Sequence, residues 1–272
     1  KTLLKTNLKY ALLIKTLALV WFHIISNNIN SQKNASFNNL KHHSVTVSYF
    51  PGVYTHSLQV QVKYDPTLKL LFTGNYNVTD KKSNSVTFSI VKSTSVSIKI
   101  IQNNKLIDTV FIGTYIIRNS FKLPVMCLNL NRDNFDLSDG ILTGGLKKLN
   151  ENDTDYVTYG RVWRKESIPV FVEYFESNKT NFSGMFRVKP FGGMTISMPE
   201  RSIRLITDTS IGPSKIKISA FSNKKYKSYK SLVLRTSGND QAITRIKDIT
   251  LSSIAKDLNL DYMDYRQIVL YA

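Results

Sequence analysis

Two stretches of this chain hold residue types that handle anionic groups. In the first, Leu232-Val-Leu-Arg235-Thr-Ser237-Gly238-Asn239-Asp240 leads towards Arg245-Ile-Lys-Asp248. An apolar strand running through Ser-Gly-Asn-Asp into a helix sets polar groups at the helix N-terminus, where free N–H groups and the dipole favour negative charge. Asn239 or Asp240 is placed to cap that helix. The second stretch is Arg187-Val-Lys189-Pro-Phe-Gly192-Gly193-Met-Thr195-Ile-Ser-Met-Pro199-Glu200-Arg201-Ser202-Ile-Arg204. Paired glycines let backbone approach a ligand, and successive N–H groups there form an anion nest. With Arg187, Lys189, Arg201 and Arg204 bracketing the turn, a polyphosphate is a natural guest, while a Gly-Gly hairpin with solvated cations fits the same residues. Lys224-Lys-Tyr226-Lys-Ser-Tyr229-Lys230 interleaves cations with aromatics as single-strand binders do. Its length and flanks suit a solvated hairpin between strands better.

The elements that must position these groups follow from periodicity. Leu123-Pro-Val-Met-Cys-Leu-Asn-Leu130 opens a region with loop residues from Asp133 to Gly145 and an exposed run from Asn150 to Thr158. Strands are expected over 168–175, 184–189, 202–206, 215–221, 231–235 and 265–271. One helix is expected over about 241–258, with Ile243, Ile246, Leu251, Ile254 and Leu258 burying one face. A mostly antiparallel sheet with one packed helix is an α+β arrangement. Upstream, from about Ser44 to Ile117, the period is two: Val45, Val47 and Tyr49; then Leu58, Val60 and Val62; then Val86, Phe88 and Ile90; then Val96, Ile98 and Ile100. Pro51-Gly52 turns the chain between the first two runs, and the pattern reads as a small all-β sandwich. No acid or histidine cluster suited to catalysis lies in it. His42, His43 and His56 read as surface residues, and residues 118–122 as a linker.

Composition narrows the classes further. The 272 residues are 42% hydrophobic, ample for one or two cores. The net charge of +18 comes from cations spread along the chain rather than gathered on a basic helix. That distribution argues against a specific nucleic-acid site and leaves attraction to an acidic wall polymer open. Lys1, Lys5 and Lys9 precede a short apolar core, Thr16 to Ile25, and polar residues to Ser31. This reads as a secretory signal peptide over 1–31, too short and too interrupted by Lys15 for a stable membrane span. The chain is thus expected to be secreted or at the cell surface. The single cysteine, Cys127 in an apolar run, reads as a core residue and allows no intrachain disulfide. Lys1 at the start and the strand-like Arg266–Ala272 at the end give the expectation of a fragment open at both ends.

Residues 42–118 resemble the chitobiase C-terminal type of Ig-like module. The resemblance runs through Pro51-Gly-Val-Tyr54, Leu58-Gln-Val-Gln-Val62, Leu71-Phe-Thr-Gly74 and Ser95-Val-Ser-Ile-Lys-Ile100. Residues 123–272 resemble the spore coat protein H (CotH) kinases. The matching motifs are Asp139-Gly140-Ile141, Trp163, Ile168-Pro-Val-Phe-Val-Glu-Tyr-Phe175, Gly192-Gly193 through Pro199-Glu-Arg201-Ser202, and Leu234-Arg235-Thr-Ser237-Gly238-Asn239-Asp240 with Asp248. Departures from that family are Thr195-Ile196 where it has Ser-Arg, Arg201 where it has Lys, and Arg245-Ile-Lys-Asp248 where Arg and Asp are adjacent. A rigid guanidinium fork is not equivalent to an ammonium at a phosphate.

The resemblance implies an atypical protein kinase N-terminal lobe, whose parent moves phosphate from ATP, with Mg or another divalent metal, to Ser or Thr of a coat or envelope protein. By that logic Arg201 is the phosphate cation and Asp248 a helix carboxylate holding it. Gly192, Gly193, Arg235 and Asn239 would shape the site. A structural ion pair between Arg235 and Asp248, buried and joining strand to helix, explains those two residues equally well. The metal-binding and catalytic acids of the family lie in a C-terminal lobe beyond the motifs matched here. No catalytic residue, and no phosphoryl transfer, is expected of these 272 residues alone. The competing expectation is a non-enzymatic surface protein with a degenerate kinase-like lobe.

Overall fold

Alternating apolar residues decide the first half of the fold. The computed structural model describes residues 33–37, 45–66, 69–74, 76–82, 84–102, 104–118, 123–130, 140–142, 144–154, 156–176, 179–218, 221, 226–237, 240 and 243–272. The expected signal peptide, His42, His43 and most of the 118–122 linker lie outside them. The strands begin with β1 (Lys33–Phe37), β2 (Val45–Tyr49), β3 (Gly52–Tyr54), β4 (Leu58–Lys63) and β5 (Lys69–Thr73). They continue with β6 (Asn77–Lys82), β7 (Ser85–Ile90), β8 (Thr94–Gln102) and β9 (Lys105–Ile117). One sheet has the order β1-β2-β4-β7-β6 and the other β3-β9-β8-β5. Val47, Val60, Val62, Phe88 and Ile90 of the first face Val96, Ile98, Ile100 and Tyr115 of the second in a shared core. Burying each such side chain contributes about 1.5–3 kcal/mol, so the alternation fixes register: a one-residue slip would turn the set to water. Pro51, between β2 and β3, carries the chain from one sheet to the other, where β3 runs parallel to β9. His56 is exposed, as its sequence context indicates.

The second half contains β10 (Val125–Asn129), β11 (Leu146–Lys148), β12 (Tyr156–Thr158), the short helix α1 (Gly160–Arg164), β13 (Ile168–Glu176) and β14 (Lys179–Phe191). A 3-10 turn over Met194–Ser197 leads to β15 (Ser202–Ile206), β16 (Ile216–Lys217), β17 (Ser228–Tyr229), β18 (Ser231–Leu234), α2 (Lys247–Asp257) and β19 (Val269–Tyr271). Six strands form the main sheet in the order β18-β15-β14-β13-β10-β19. Its core joins Leu128, Val170, Val172, Tyr174, Phe186, Val188, Ile203 and Leu205. Pro190 is tolerated in the long strand β14 because the β13 ladder ends at Ile168↔Val188, so no bond on that side is lost. The protein is mostly β with few helices, and no helix among the described residues is long and apolar enough to cross a membrane.

The structure corrects the helix and the bounds of two strands. The helix begins at Lys247, not near Gln241. Arg245 has φ 60°, a left-handed conformation that no helix interior allows, and the Asp240 carboxylate gathers the N–H groups of the preceding turn. The helix also buries no face: Ile246, Leu251, Ile254 and Leu258 are all exposed. The sheet is mostly antiparallel, with β19 alone pairing in parallel, with β10. The strand expected over 215–221 shrinks to Ile216–Lys217, and the one expected from Gly184 extends back to Lys179.

A buried carboxylate joins the two halves. Glu173 on β13 is 2% exposed. Its Oε1 accepts the Thr114 N–H at 3.1 Å and its Oε2 the Asn129 amide at 3.2 Å. Asn129 in turn accepts the hydroxyls of Thr114, at 3.3 Å, and of Ser95. The Phe111 and Phe171 rings stack beside this network with centroids 4.8 Å apart. Val53 and Ile116 pack against Val125, Cys127 and Phe175. Cys127 is a core residue as expected, and burial pushes its thiol well up, so it is not a nucleophile.

Burial also raises the Glu173 carboxyl above its ordinary range, with the Thr114 and Asn129 hydrogen bonds pulling the other way. An acid whose midpoint is raised on folding lends stability below its unfolded value and loses it as pH climbs through the folded one. Glu173→Gln, which removes the charge, is therefore expected to gain melting temperature relative to the parent between about pH 5 and pH 8. Each pH unit of the rise is worth about 1.4 kcal/mol. Parallel melting curves across that range would show that the carboxylate pays no burial penalty.

Candidate functional site

The Gly-Gly turn after β14 is shaped by its first glycine. Gly192 has φ 129°, and a Cβ there would sit 2.4 Å from the Thr195 Oγ1, so the position admits only glycine. Its carbonyl accepts the Lys165 ammonium at 2.7 Å, from the residue that ends α1. Gly193 faces open space, with nothing within 4 Å of an added Cβ. Of the four cations expected to bracket this turn, only Arg201 stays on it. Arg187 turns to Asp208, Arg204 lies over the Phe191 ring at 4.6 Å, and Lys189 sits across the ladder from Arg204.

Arg201 is 4% exposed. Its Nε donates to the Ile196 carbonyl at 2.6 Å, and its Nη1 to the carbonyls of Leu142 at 3.0 Å and Ile141 at 3.3 Å. Its Nη2 is buried without a partner. Burial lowers the guanidinium to about 10, still charged at neutral pH. Ile141 and Leu142 thus meet Ile196, on the 3-10 turn that follows Gly192–Gly193, through one side chain, a juxtaposition that sequence spacing does not show. Ile196 is buried and helps wall this spot.

Arg235 and Asp248 come together: Arg235 Nε and Nη2 approach Asp248 Oδ2 at 2.7 Å and 2.6 Å. The pair ties the end of β18 to the first turn of α2, where a carboxylate also suits the helix dipole. It is half-exposed rather than buried, with side chains 40% and 36% accessible. Water screens it to a coupling of about 0.2–1 kcal/mol. Asp248 therefore holds Arg235, not Arg201. The two corners remain linked: the Ser202 Oγ accepts the Thr236 N–H at 3.2 Å, and the Thr236 Oγ1 donates to the Glu200 carbonyl at 3.3 Å. Gly238 and Asn239 lie outside the described residues.

Asp240 is the residue whose role exceeds its sequence reading. It is buried, and its carboxylate accepts the N–H groups of Thr244 at 3.3 Å, Ile246 at 3.1 Å and Lys247 at 3.0 Å, together with the Thr244 hydroxyl. It caps α2 from seven residues ahead of its first residue, Lys247, rather than from the neighbouring position. Glu200 adds an ion pair to Arg245 at 3.1 Å, which pins the intervening loop back to the Arg201 corner. Lys165 and Glu200 carry no motif of their own, and only their positions beside the glycines and Arg201 could have drawn notice.

The donor set fits a phosphate. The Arg201 Nη2 is a buried donor without a partner, the kind of group an anionic oxygen would satisfy, and Gly193 leaves open space on the turn that precedes it in sequence. Among the described residues no group of three or more His, Cys, Asp or Glu is placed to hold a metal ion. Comparison of the chain with protein-family models, curated proteins and solved structures returns no match.

The Thr244 hydroxyl, followed by the backbone N–H groups, holds the Asp240 carboxyl below its ordinary value. Stability from such a depressed acid is present above the unfolded value and fades as pH falls through the folded one. Asp240→Asn is expected to lower the melting temperature at about pH 7, with the deficit narrowing below about pH 4. Thermal melts of both proteins across that range check it, and a pH-independent deficit would count against the capping role.

Proposed function

We propose that residues 123–272 are the N-terminal lobe of a CotH-type protein kinase, preceded by an Ig-like module of the chitobiase C-terminal type. The observation that carries this reading is the convergence of separated motifs at one end of the main sheet. Ile141–Leu142, the Gly192–Gly193 turn, Arg201-Ser202 and the Arg235–Asp248 junction are linked by hydrogen bonds through Arg201, Ile196 and Thr236, with neighbouring residues of the chain completing the path. Phosphoryl transfer demands mainly positioning and charge neutralisation, and an arginine with one unused donor together with a glycine turn open at Gly193 would offer both to a polyphosphate. On this reading the parent protein is exported and uses ATP with a divalent metal to phosphorylate Ser or Thr of a coat or envelope protein. Gly192, Gly193, Arg201 and Arg235 would face the nucleotide phosphates.

A non-enzymatic surface-binding role is the second reading, and one observation favours it. Arg201 spends Nε and Nη1 on backbone carbonyls, and Asp248 pairs elsewhere, so the cation and the helix carboxylate are not engaged with each other.

Nucleotide binding separates the two. Titration calorimetry is expected to show saturable Mg-ATP binding that weakens by about tenfold or more in Gly193→Val, where the added side chain enters open space. Arg201→Gln is expected to weaken it similarly. Circular dichroism melts establish that both variants stay folded. No binding by the parent chain, or equal affinity in folded Gly193→Val, overturns the kinase reading in favour of the second.

A further inference from the structure

On the side of β14 and β15 where Arg187 and Ile206 stand opposite each other, the chain builds a cleft that the reading above does not use. It is an open depression of about 610 Å³, a volume within the range of about 300–1,000 Å³ typical of small-molecule sites. Its charged lining is Arg187, Asp208, Lys215 and Lys230. Asp208 is fully engaged: Oδ2 takes the Arg187 Nε at 2.6 Å, and Oδ1 takes the Ser210 N–H at 2.9 Å and its hydroxyl at 2.6 Å. Those bonds, the Ser210 hydroxyl foremost, hold the carboxyl down to about 2, so it stays ionised and offsets Arg187 alone. Lys215 and Lys230 form no ion pair among the described residues, which leaves two positive charges without a counter-ion over one cleft.

The walls are fixed rather than loose. The Gly212 N–H donates to the Asp208 carbonyl at 2.9 Å. A Cβ on Gly212 would lie 1.9 Å from the Met185 carbonyl oxygen, so the loop is pressed directly onto β14. On the opposite wall, the Thr207 N–H and hydroxyl both donate to the Lys230 carbonyl, at 3.0 Å and 3.1 Å. The backbone that carries Asp208 and Lys230 is thereby held before any ligand arrives, which reduces the ordering cost of binding.

We propose that this cleft binds a phosphate monoester. Lys215 and Lys230 neutralise the dianion as point charges, Arg187 offers the Nη2 that neither Asp208 nor Ser167 uses, and Ser214 adds a hydroxyl. Two uncompensated charges match a dianion rather than a carboxylate. Among the described residues no aromatic side chain lines the cleft to stack a nucleobase. The site is distinct from the Gly192–Arg201 corner and stands or falls independently of it.

The probe is phenyl phosphate, titrated against the full chain by calorimetry at about 50 mM salt, where surface charge is only partly screened. Saturable one-site binding is expected, weakened by about tenfold or more in Lys215→Gln/Lys230→Gln. Both side chains are exposed, so that variant keeps its melting temperature. The control is Lys81→Gln/Lys82→Gln, which removes the same charge from the fully exposed strand β6 and is expected to change affinity by less than about twofold. Absence of saturation, or equal weakening in the two double variants, overturns the proposal, the latter because it would reduce the effect to general basicity.

Discussion

The junction between the two halves of the described fold is arranged around one buried carboxyl group. A carboxylate taken out of water is tolerated only where donors replace its hydration. Glu173 obtains its donors from outside its own strand: Thr114 lies on β9 of the sandwich and Asn129 on β10 of the main sheet. The sandwich must therefore sit where Thr114 presents its N–H, and Ser95 must be near enough to hold Asn129 in the right orientation. Gly113 is the steric counterpart of this demand. A Cβ there would meet the Pro51 ring at 2.2 Å and the Glu173 Oε1 at 2.6 Å, so no other residue lets the two halves close. Hydrogen bonds to a buried charge are directional, and an apolar contact alone would leave the halves freer to slide.

That fixed platform gives β14 and β15 two separate uses. Near Gly192 and Arg201 the strands end in a turn whose carbonyls are turned inward onto a guanidinium. At Arg187 and Ile206 they support a cleft in which the Asp208 carboxylate holds Arg187 and the Gly212 N–H holds the Asp208 backbone. Both places rest on the same β14–β15 ladder, Arg187↔Ile206 through Phe191↔Ser202. Rigidity at each is inherited from the sheet rather than supplied by the loops, which is why short polar segments there hold defined geometry.

The sandwich was legible because period-two burial is a local property. Leu58, Val60 and Val62, or Val96, Ile98 and Ile100, can be read letter by letter, and each is buried. The helix after β18 was legible in type but not in extent. Its apolar spacing continues upstream through Ile243, yet Asp240 and the left-handed Arg245 make that part a loop. Its apolar residues imply a buried face, and burial is a tertiary fact that periodicity cannot supply. The Arg201 site illustrates a different gap. Its partners are backbone carbonyls at Ile141, Leu142 and Ile196, and backbone groups leave no trace in side-chain identity. Asp208-Thr-Ser210 was readable in principle, since an Asp that bonds the residue two positions on is a common turn signature.

The parallel pairing of β19 with β10 bears on how the chain reaches this state. Val125 opens the main sheet and Val269 closes beside it, with β13, β14, β15 and β18 all lying between them in sequence. Closing so long a loop costs chain entropy that only the finished edge repays. During synthesis, β10 must wait with one edge unpaired until almost every other strand has left the ribosome. For that interval Val125, Met126, Cys127 and Leu128 present an apolar strand with a bare edge, the kind of surface that chaperones hold and that neighbouring nascent chains can capture.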